Sequence, residues 1–206
     1  MTRSDLPDIG KDLEVHQMRL FDSYPVLEDD LIVIRRMRPF DAPALKAFTS
    51  DDEIYRYLPT FLFERKYGVA KDVIRRMDAE CFNARESILL GVYLKSESES
   101  FIGIAEIYGY EERKPKVSIG YRLDRKHWGM GIATRIVGLL KAYLIDQVKV
   151  RTITAHVMPE NRASAKVLVK NGFICLYTGV PEDWGFEDPT PTDKYVFKRR
   201  WISGAL

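Results

Sequence analysis

The sequence predicts one α+β domain, a mixed and mostly antiparallel sheet with helices on both faces. Three observations predict it. β-Branched and aromatic runs of strand length come in quick succession from Ile88 to Leu123; apolar residues at helical spacing run from Ile132 to Leu144; a further β-branched run, Thr152 to Val157, follows at once. A strand, a helix of that length and a second strand make a crossover unit with parallel strands. With 206 residues, 46% of them hydrophobic, the chain is long enough to bury a core of its own.

Residues 1–28 mix charges with scattered apolar positions such as Leu13, Val15, Leu20 and Phe21 and show no clear period, so they read as an N-terminal extension with some helix, and the domain is taken as 29–206. Leu31 to Arg36 is a strand by its β-branched run, which Pro39, Asp41 and Pro43 end before a helix through Leu45 and Phe48. An aromatic, turn-like stretch from Tyr55 to Phe63 follows. Ala70, Val73, Ile74, Met77, Cys81 and Phe82 then keep the spacing of an amphipathic helix. Ile88–Leu94 and Phe101–Tyr108 read as a hairpin closed by Lys95–Ser100, and Val117–Leu123 continues the meander. Beyond the crossover, a shorter helix from Arg162 to Asn171 ends at Gly172, and strands at Phe173–Tyr177 and Lys194–Trp201 bracket a proline-rich loop.

Composition excludes some functions. Lysine and arginine number 32 against 30 acidic residues, which gives no broad basic field for nucleic acid. The two cysteines, Cys81 and Cys175, lie in apolar stretches without metal-ligand spacing, and both are expected as buried thiols, with no metal site. The N-terminal charges Asp5, Asp8, Lys11, Asp12 and Glu14 break any signal-peptide run, and no later segment reaches membrane-spanning length. The expectation is a cytoplasmic protein, monomer or homodimer, with neither membrane nor nucleic acid as partner.

The segment that carries chemistry is Asp124-Arg125-Lys126-His127-Trp128-Gly129-Met130-Gly131-Ile132-Ala133, between a strand and a helix. Free N–H groups and the helix dipole converge there, glycines let the backbone approach a phosphate, and Arg125, Lys126 and His127 add charge or donors. Taken alone, Gly-x-Gly at a helix start is also a plain tight turn. It is neither a Walker loop nor a dinucleotide fingerprint.

Lys126-His127-Trp128-Gly129-Met130-Gly131 resembles the acetyl-CoA loop of the GNAT superfamily, and Pro159-Glu160-Asn161-Arg162-Ala163-Ser164 with Lys170-Asn171-Gly172-Phe173 resembles that superfamily's next motif. The branch of ribosomal-protein alanine N-acetyltransferases is the most similar. Lys126 departs from the usual glutamine or arginine. The resemblance implies that acetyl-CoA is bound by residues 125–133, that Ile119, Tyr121 and Leu123 pair through their backbone with the pantetheine arm, and that this strand splays from Thr152–Val157 to admit the acetyl group. Asn161 would bind the pantetheine arm, or it serves only as the cap of its helix.

Acetyl transfer to an amine needs a neutral nucleophile, a donor to the oxyanion and a route for the thiolate. Glu106, which alternates with Ile102 and Ile104 on a strand face similar to the acceptor side of the GNAT cleft, is the candidate base; a solvent-facing strand position explains it equally. The tyrosine that many GNAT enzymes place before Gly-Phe is here Leu168, and Ser164 is the candidate donor to sulfur, or a first-turn serine bonded to its own helix. Tyr121, Tyr177 and His156 are secondary candidates, or serve only packing and structure, and Tyr108 is expected to bind the acceptor. The acidic loop Pro181–Pro189, with Trp184 as a cover, and the aromatic stretch Tyr55–Phe63 would wall the acceptor, unless the loop is simply a solvated acidic turn. The expected activity is transfer of acetyl from acetyl-CoA to a peptide N-terminus or a small amine, with a non-catalytic acyl-CoA-binding module as the alternative.

Overall fold

The computed structural model describes residues 19–95 and 99–199. In chain order, β1 (Leu27–Glu28) and β2 (Ile32–Arg35) lead to α1 (Ala42–Thr49), α2 (Asp52–Tyr55) and α3 (Ala70–Arg76). The meander β3 (Ser87–Leu94), β4 (Ser100–Glu111) and β5 (Lys116–Leu123) follows. Then come α4 (Ile132–Asp146), β6 (Thr152–Val157), α5 (Arg162–Lys170), β7 (Ile174–Glu182) and β8 (Thr190–Lys198).

The strands form one sheet in the order β1-β2-β3-β4-β5-β6-β8-β7. Every pairing is antiparallel except β5 with β6, the pair joined by the α4 crossover. Strand alternation sorts the apolar residues into two layers. Leu90, Ala105, Ile107, Val117 and Ile153 pack under α4 and α5 through Ile136, Leu140 and Leu168. Leu89 and Ile104 face the other way, against Leu45 and Phe48 of α1 and Val73 and Ile74 of α3. Helices therefore cover both faces, as the period switch in the sequence predicts.

Several boundaries differ from expectation. The helix expected over 70–82 is α3 followed by a π-helical turn, Met77–Phe82, from which Met77 and Cys81 stay in the α1–α3 layer while Phe82 stacks on Tyr24 at 4.1 Å. β7 and β8 run far into the expected proline-rich loop, and Pro181 and Pro191 stand opposite each other in the ladder. Both are tolerated because β7 is an edge strand and Pro191 lies beyond the pairing of β8 with β6, which stops at Asp193. Cys81 is buried as expected, with a thiol pushed up to about 11 chiefly by burial. Cys175 is exposed, contrary to expectation: it sits on edge strand β7, which the helices leave uncovered along with Ile174 and Tyr177. Of the expected extension, residues 1–18 lie outside the described residues, whereas Leu20 and Leu27 are in the core. The end of the strand expected to reach Trp201 also lies outside them.

Candidate active site

The sheet opens at one place. β5 runs beside β6 only from Lys116 to Ser118, opposite Thr152 to Thr154, while on its other edge β5 continues against β4 as far as Leu123. The Ser118 and Thr154 hydroxyls meet at 2.7 Å at the fork. Beyond it, the main chain of 119–123 has no strand against its β6 side among the described residues, so the gap can take an extended ligand as a strand substitute. Ile119, Tyr121 and Leu123 lie on this edge, although Trp128 Nε1 already donates to the Leu123 carbonyl at 2.8 Å.

At the upper end of the gap, Arg125–His127 form a short 3₁₀ turn and Gly131 takes the N-cap position of α4. Gly129 and Gly131 have φ of 76° and 78°, and a Cβ on either would meet no atom within 4 Å. The chain bends here through the left-handed region that glycine adopts freely, leaving a hollow before the first turn of α4. No side chain caps that turn, so its first N–H groups point outward from the positive end of a 15-residue helix. Met130 and the Trp128 ring are exposed, Ile132 is buried and Ala133 partly so. Lys126 is exposed, while Arg125 is held by Asp51 at 2.8 Å, which ties the loop to the N-cap residue of α2. His127 Nδ1 is buried without a partner among the described residues. An orphaned ring nitrogen beside a bare helix terminus and a glycine hollow fits a diphosphate-bearing ligand.

At the lower end, Ser164 in the first turn of α5 reaches across to β5, where the Tyr121 hydroxyl meets its Oγ at 3.2 Å. Burial raises the Tyr121 phenol, an effect the Ser164 contact partly offsets, so this group carries its proton. Asn161 caps α5 by accepting from Ser164 N–H at 3.1 Å. Leu168 is buried under the sheet, so no phenol comes from that position of α5.

The opposite face of the same strands is polar. Arg122, fully buried, donates to Glu64 Oε1 and Oε2 at 2.5 Å each and to Glu106 Oε2 at 2.7 Å. Glu64 is buried completely, whereas the Glu106 side chain retains 15% exposure. The two carboxylates hold the Arg122 guanidinium firmly charged against the cost of burial. Tyr108 lies farther along β4, its phenol raised by burial and then by the Glu106 and Glu182 carboxylates. Across the gap, His156 Nδ1 contacts Glu182 Oε2 at 2.7 Å, and Trp184 Nε1 donates to the same oxygen at 3.1 Å. Trp184 is buried, and its carbonyl accepts from Thr60 N–H at 2.8 Å, joining the β7–β8 loop to the 56–62 loop. Beside this junction, Thr60, Phe61, Leu62, Phe63 and Lys66 line a hollow of about 360 Å³. Tyr177 is exposed on edge strand β7.

Sequence reasoning did not single out Arg122, Glu64 or Glu182 by itself. The available signal was an arginine on the Ser118–Gly120–Arg122 side of β5, facing the same way as Glu106 one strand over.

A family model for the acetyltransferase (GNAT) domain matches residues 32–174. The chain belongs to the GNAT acetyltransferase family. It is 25% identical over 175 residues to the uncharacterized N-acetyltransferase YoaA of Bacillus subtilis (strain 168), covering 84% of this chain and 96% of that protein. Among solved structures, it is similar to Mycobacterium smegmatis RimJ in complex with CoA-disulfide, with TM-score 0.72, 18% identity, and coverage of 91% and 93% of the two chains. It is also similar to RimL, the ribosomal L7/L12 α-N-protein acetyltransferase, in complex with coenzyme A, with TM-score 0.71, 14% identity, and coverage of 84% and 98%. The GNAT chain is thus an acetyltransferase, and the Gly129–Gly131 hollow and the sheet fork lie within the matched residues.

Proposed function

We propose that the protein transfers the acetyl group of acetyl-CoA to a primary amine by direct attack within a ternary complex. The observation that carries this reading is the meeting, at one fork in the sheet, of a bare helix terminus at the start of α4 and a carboxylate-rich cluster on the opposite face. Family membership supports the donor, and the carboxylates support a cationic acceptor.

The N–H groups of Gly129 to Ala133 hold the diphosphate, with Lys126 and His127 beside it and Arg125 fixing the loop through Asp51. Acetyl-CoA supplies the activated thioester. The β5 edge from Ile119 to Leu123 guides the pantetheine arm, with the amide of Asn161 on the far side, and N–H groups near Ile119 and Tyr121 donate to the thioester oxygen as charge develops. Ser164 stands at the sulfur; because Tyr121 donates to its Oγ, the serine's own proton is free to turn toward the departing thiolate. Glu106 draws the ammonium into the pocket: Arg122 faces two carboxylates, which leaves the cluster an excess of acidic groups next to the opening. Tyr108 and Trp184 line its walls. An acyl-enzyme is not part of the scheme, since Cys81 is buried with a raised thiol and Cys175 lies on the distant edge strand.

RimL acts on a protein α-amine, which favours a peptide N-terminus as acceptor over a small amine. Thiol release measured over α-amino peptides, lysine-type amines and polyamines tests the reading, with calorimetry of CoA binding alongside. The expected result is micromolar CoA affinity and release with α-amino peptides above the rest. A protein indifferent to millimolar CoA refutes the donor site, and one that binds CoA yet releases no thiol with any amine is a non-catalytic binding module.

A further inference from the structure

We propose that Trp128 is a positioning residue that sets the register of the pantetheine arm, because its indole closes the last carbonyl on the open edge of β5. The inference rests on the donor side of the acetyltransferase reading above and adds to it the point at which the ligand's pairing must stop.

The main-chain directions along β5 follow from its two neighbours. Asp124 N–H donates to the Ile102 carbonyl of β4 at 2.8 Å, and sides alternate residue by residue, so Arg122 and Gly120 also turn their main-chain groups to β4. Leu123, Tyr121 and Ile119 turn theirs the other way, into the gap. The Val117 carbonyl, on that same side of β5, accepts from Thr154 Oγ1 of β6 at 3.4 Å. An extended ligand laid in the gap therefore meets this row of groups from the fork upward, until the Leu123 carbonyl, which already accepts from Trp128 Nε1 at 2.8 Å. Pairing can run as far as the Leu123 N–H and no farther.

The loop holds the indole in that place. Asp124 accepts from Lys126 N–H at 3.1 Å through Oδ1 and from His127 N–H at 2.9 Å through its carbonyl, and Trp128 N–H donates to the Arg125 carbonyl at 3.1 Å. This turn folds Trp128 back over Leu123, just before the chain bends at Gly129. The Trp128 residue is 50% exposed, so burial alone does not account for a tryptophan here. What the side chain gives the sheet is its N–H, which satisfies the carbonyl without extending the ladder.

Register matters because a ladder repeats every two residues, about 6.6 Å along the strand. The diphosphate is held at the start of α4. An arm free to take the Leu123 carbonyl would gain one hydrogen bond by shifting a step toward the loop, and its thioester would then fall short of Ser164. Trp128 removes that competing, unproductive position.

The test uses the full chain and two variants, Trp128→benzothienylalanine, which keeps the ring shape and puts sulfur in place of the N–H, and Trp128→Phe. With the fastest amine of the panel, kcat and the acetyl-CoA KM should fall together in both, by about 3- to 10-fold, the factor carried by one ladder hydrogen bond gained in the wrong register. Affinity for 3′-phospho-ADP, which has the diphosphate but no pantetheine, should stay within about 2-fold. A loop loosened by the change would instead raise KM and weaken 3′-phospho-ADP. That pattern, or an unchanged kcat, overturns the proposal. Independently of turnover, ¹H–¹⁵N spectra resolve the indoles of the three tryptophans, with Trp128→Phe identifying that of Trp128; its N–H should remain slow to exchange when CoA is added. Faster exchange means that CoA takes the Leu123 carbonyl, which overturns the proposal and leaves the donor reading intact. Unaltered protein that ignores millimolar CoA overturns both.

Discussion

The proposed donor and acceptor sides of this cleft are made of different materials. On the donor side the working groups are main-chain amides within one short stretch, exposed and shaped by two glycines in the left-handed region. On the acceptor side they are side chains from distant segments, Glu64, Glu106 and Arg122 joined by charge contacts around a buried guanidinium and His156, Glu182 and Trp184 joined at a part-buried carboxylate. Binding and stability are therefore separable on the first side and joined on the second. An amide cradle costs the fold little to carry, whereas a buried guanidinium between two carboxylates must be kept paired for the protein to fold.

The largest effect that would sharpen this contrast is expected at Arg122. Arg122→Leu strands Glu64, which is completely buried, and Glu106 without a counter-charge. Breaking a buried pair from one side costs about 3–5 kcal/mol, to be read as a lowered denaturation midpoint. The double variant Arg122→Leu with Glu64→Gln should recover part of that loss, since it removes one orphaned charge. A single variant as stable as the parent would show that the acceptor side is no more bound to the fold than the donor side.

The same contrast explains what was legible in the sequence. A site built from backbone needs glycine at fixed spacing, so Gly129 and Gly131 stand out, and the Ile132–Leu144 periodicity locates the helix terminus they serve. The crossover and the parallel pairing of β5 with β6 followed from strand, helix and strand order, and the fork itself from the family resemblance. A site built from side chains leaves no local signal. Glu64 sits in a 3₁₀ turn at the end of an aromatic stretch, and its partner Arg122 is 58 residues away. Glu182 looked like one acid among four in a loop because two prolines concealed the continuation of β7, which carries it to His156. Cys175 was misjudged for the related reason that an apolar run does not reveal whether its strand lies at an edge.

A second effect is expected on the donor side. At Gly129 an added Cβ meets no protein atom, so Gly129→Asp should cost the fold only about 1 kcal/mol for holding φ at 76°. A carboxylate placed in the hollow repels a diphosphate and blocks the amides, and acetyl-CoA affinity measured by calorimetry should fall at least about 100-fold, roughly 2.7 kcal/mol. Large destabilisation with little change in affinity would reverse the roles of the two sides.

The smallest effect is expected at the roof of the acceptor pocket. Gly185 has φ of 79°, and a Cβ there would run into Thr60 Oγ1, the hydroxyl that donates to the Trp184 and Gly185 carbonyls at 3.2 Å each. Gly185→Ala should cost about 1–2 kcal/mol for the left-handed backbone and push the 56–62 loop away from Trp184, raising KM for the amine several-fold while acetyl-CoA affinity stays the same. Adding Thr60→Ala removes the hydroxyl that is struck but leaves φ unchanged. If KM recovers in the double variant while stability does not, the contact between the two loops shapes the acceptor pocket independently of the backbone strain. If neither recovers, the left-handed turn itself places Trp184, and the roof belongs with the glycine-built donor loop and not with the side-chain-built floor beneath it.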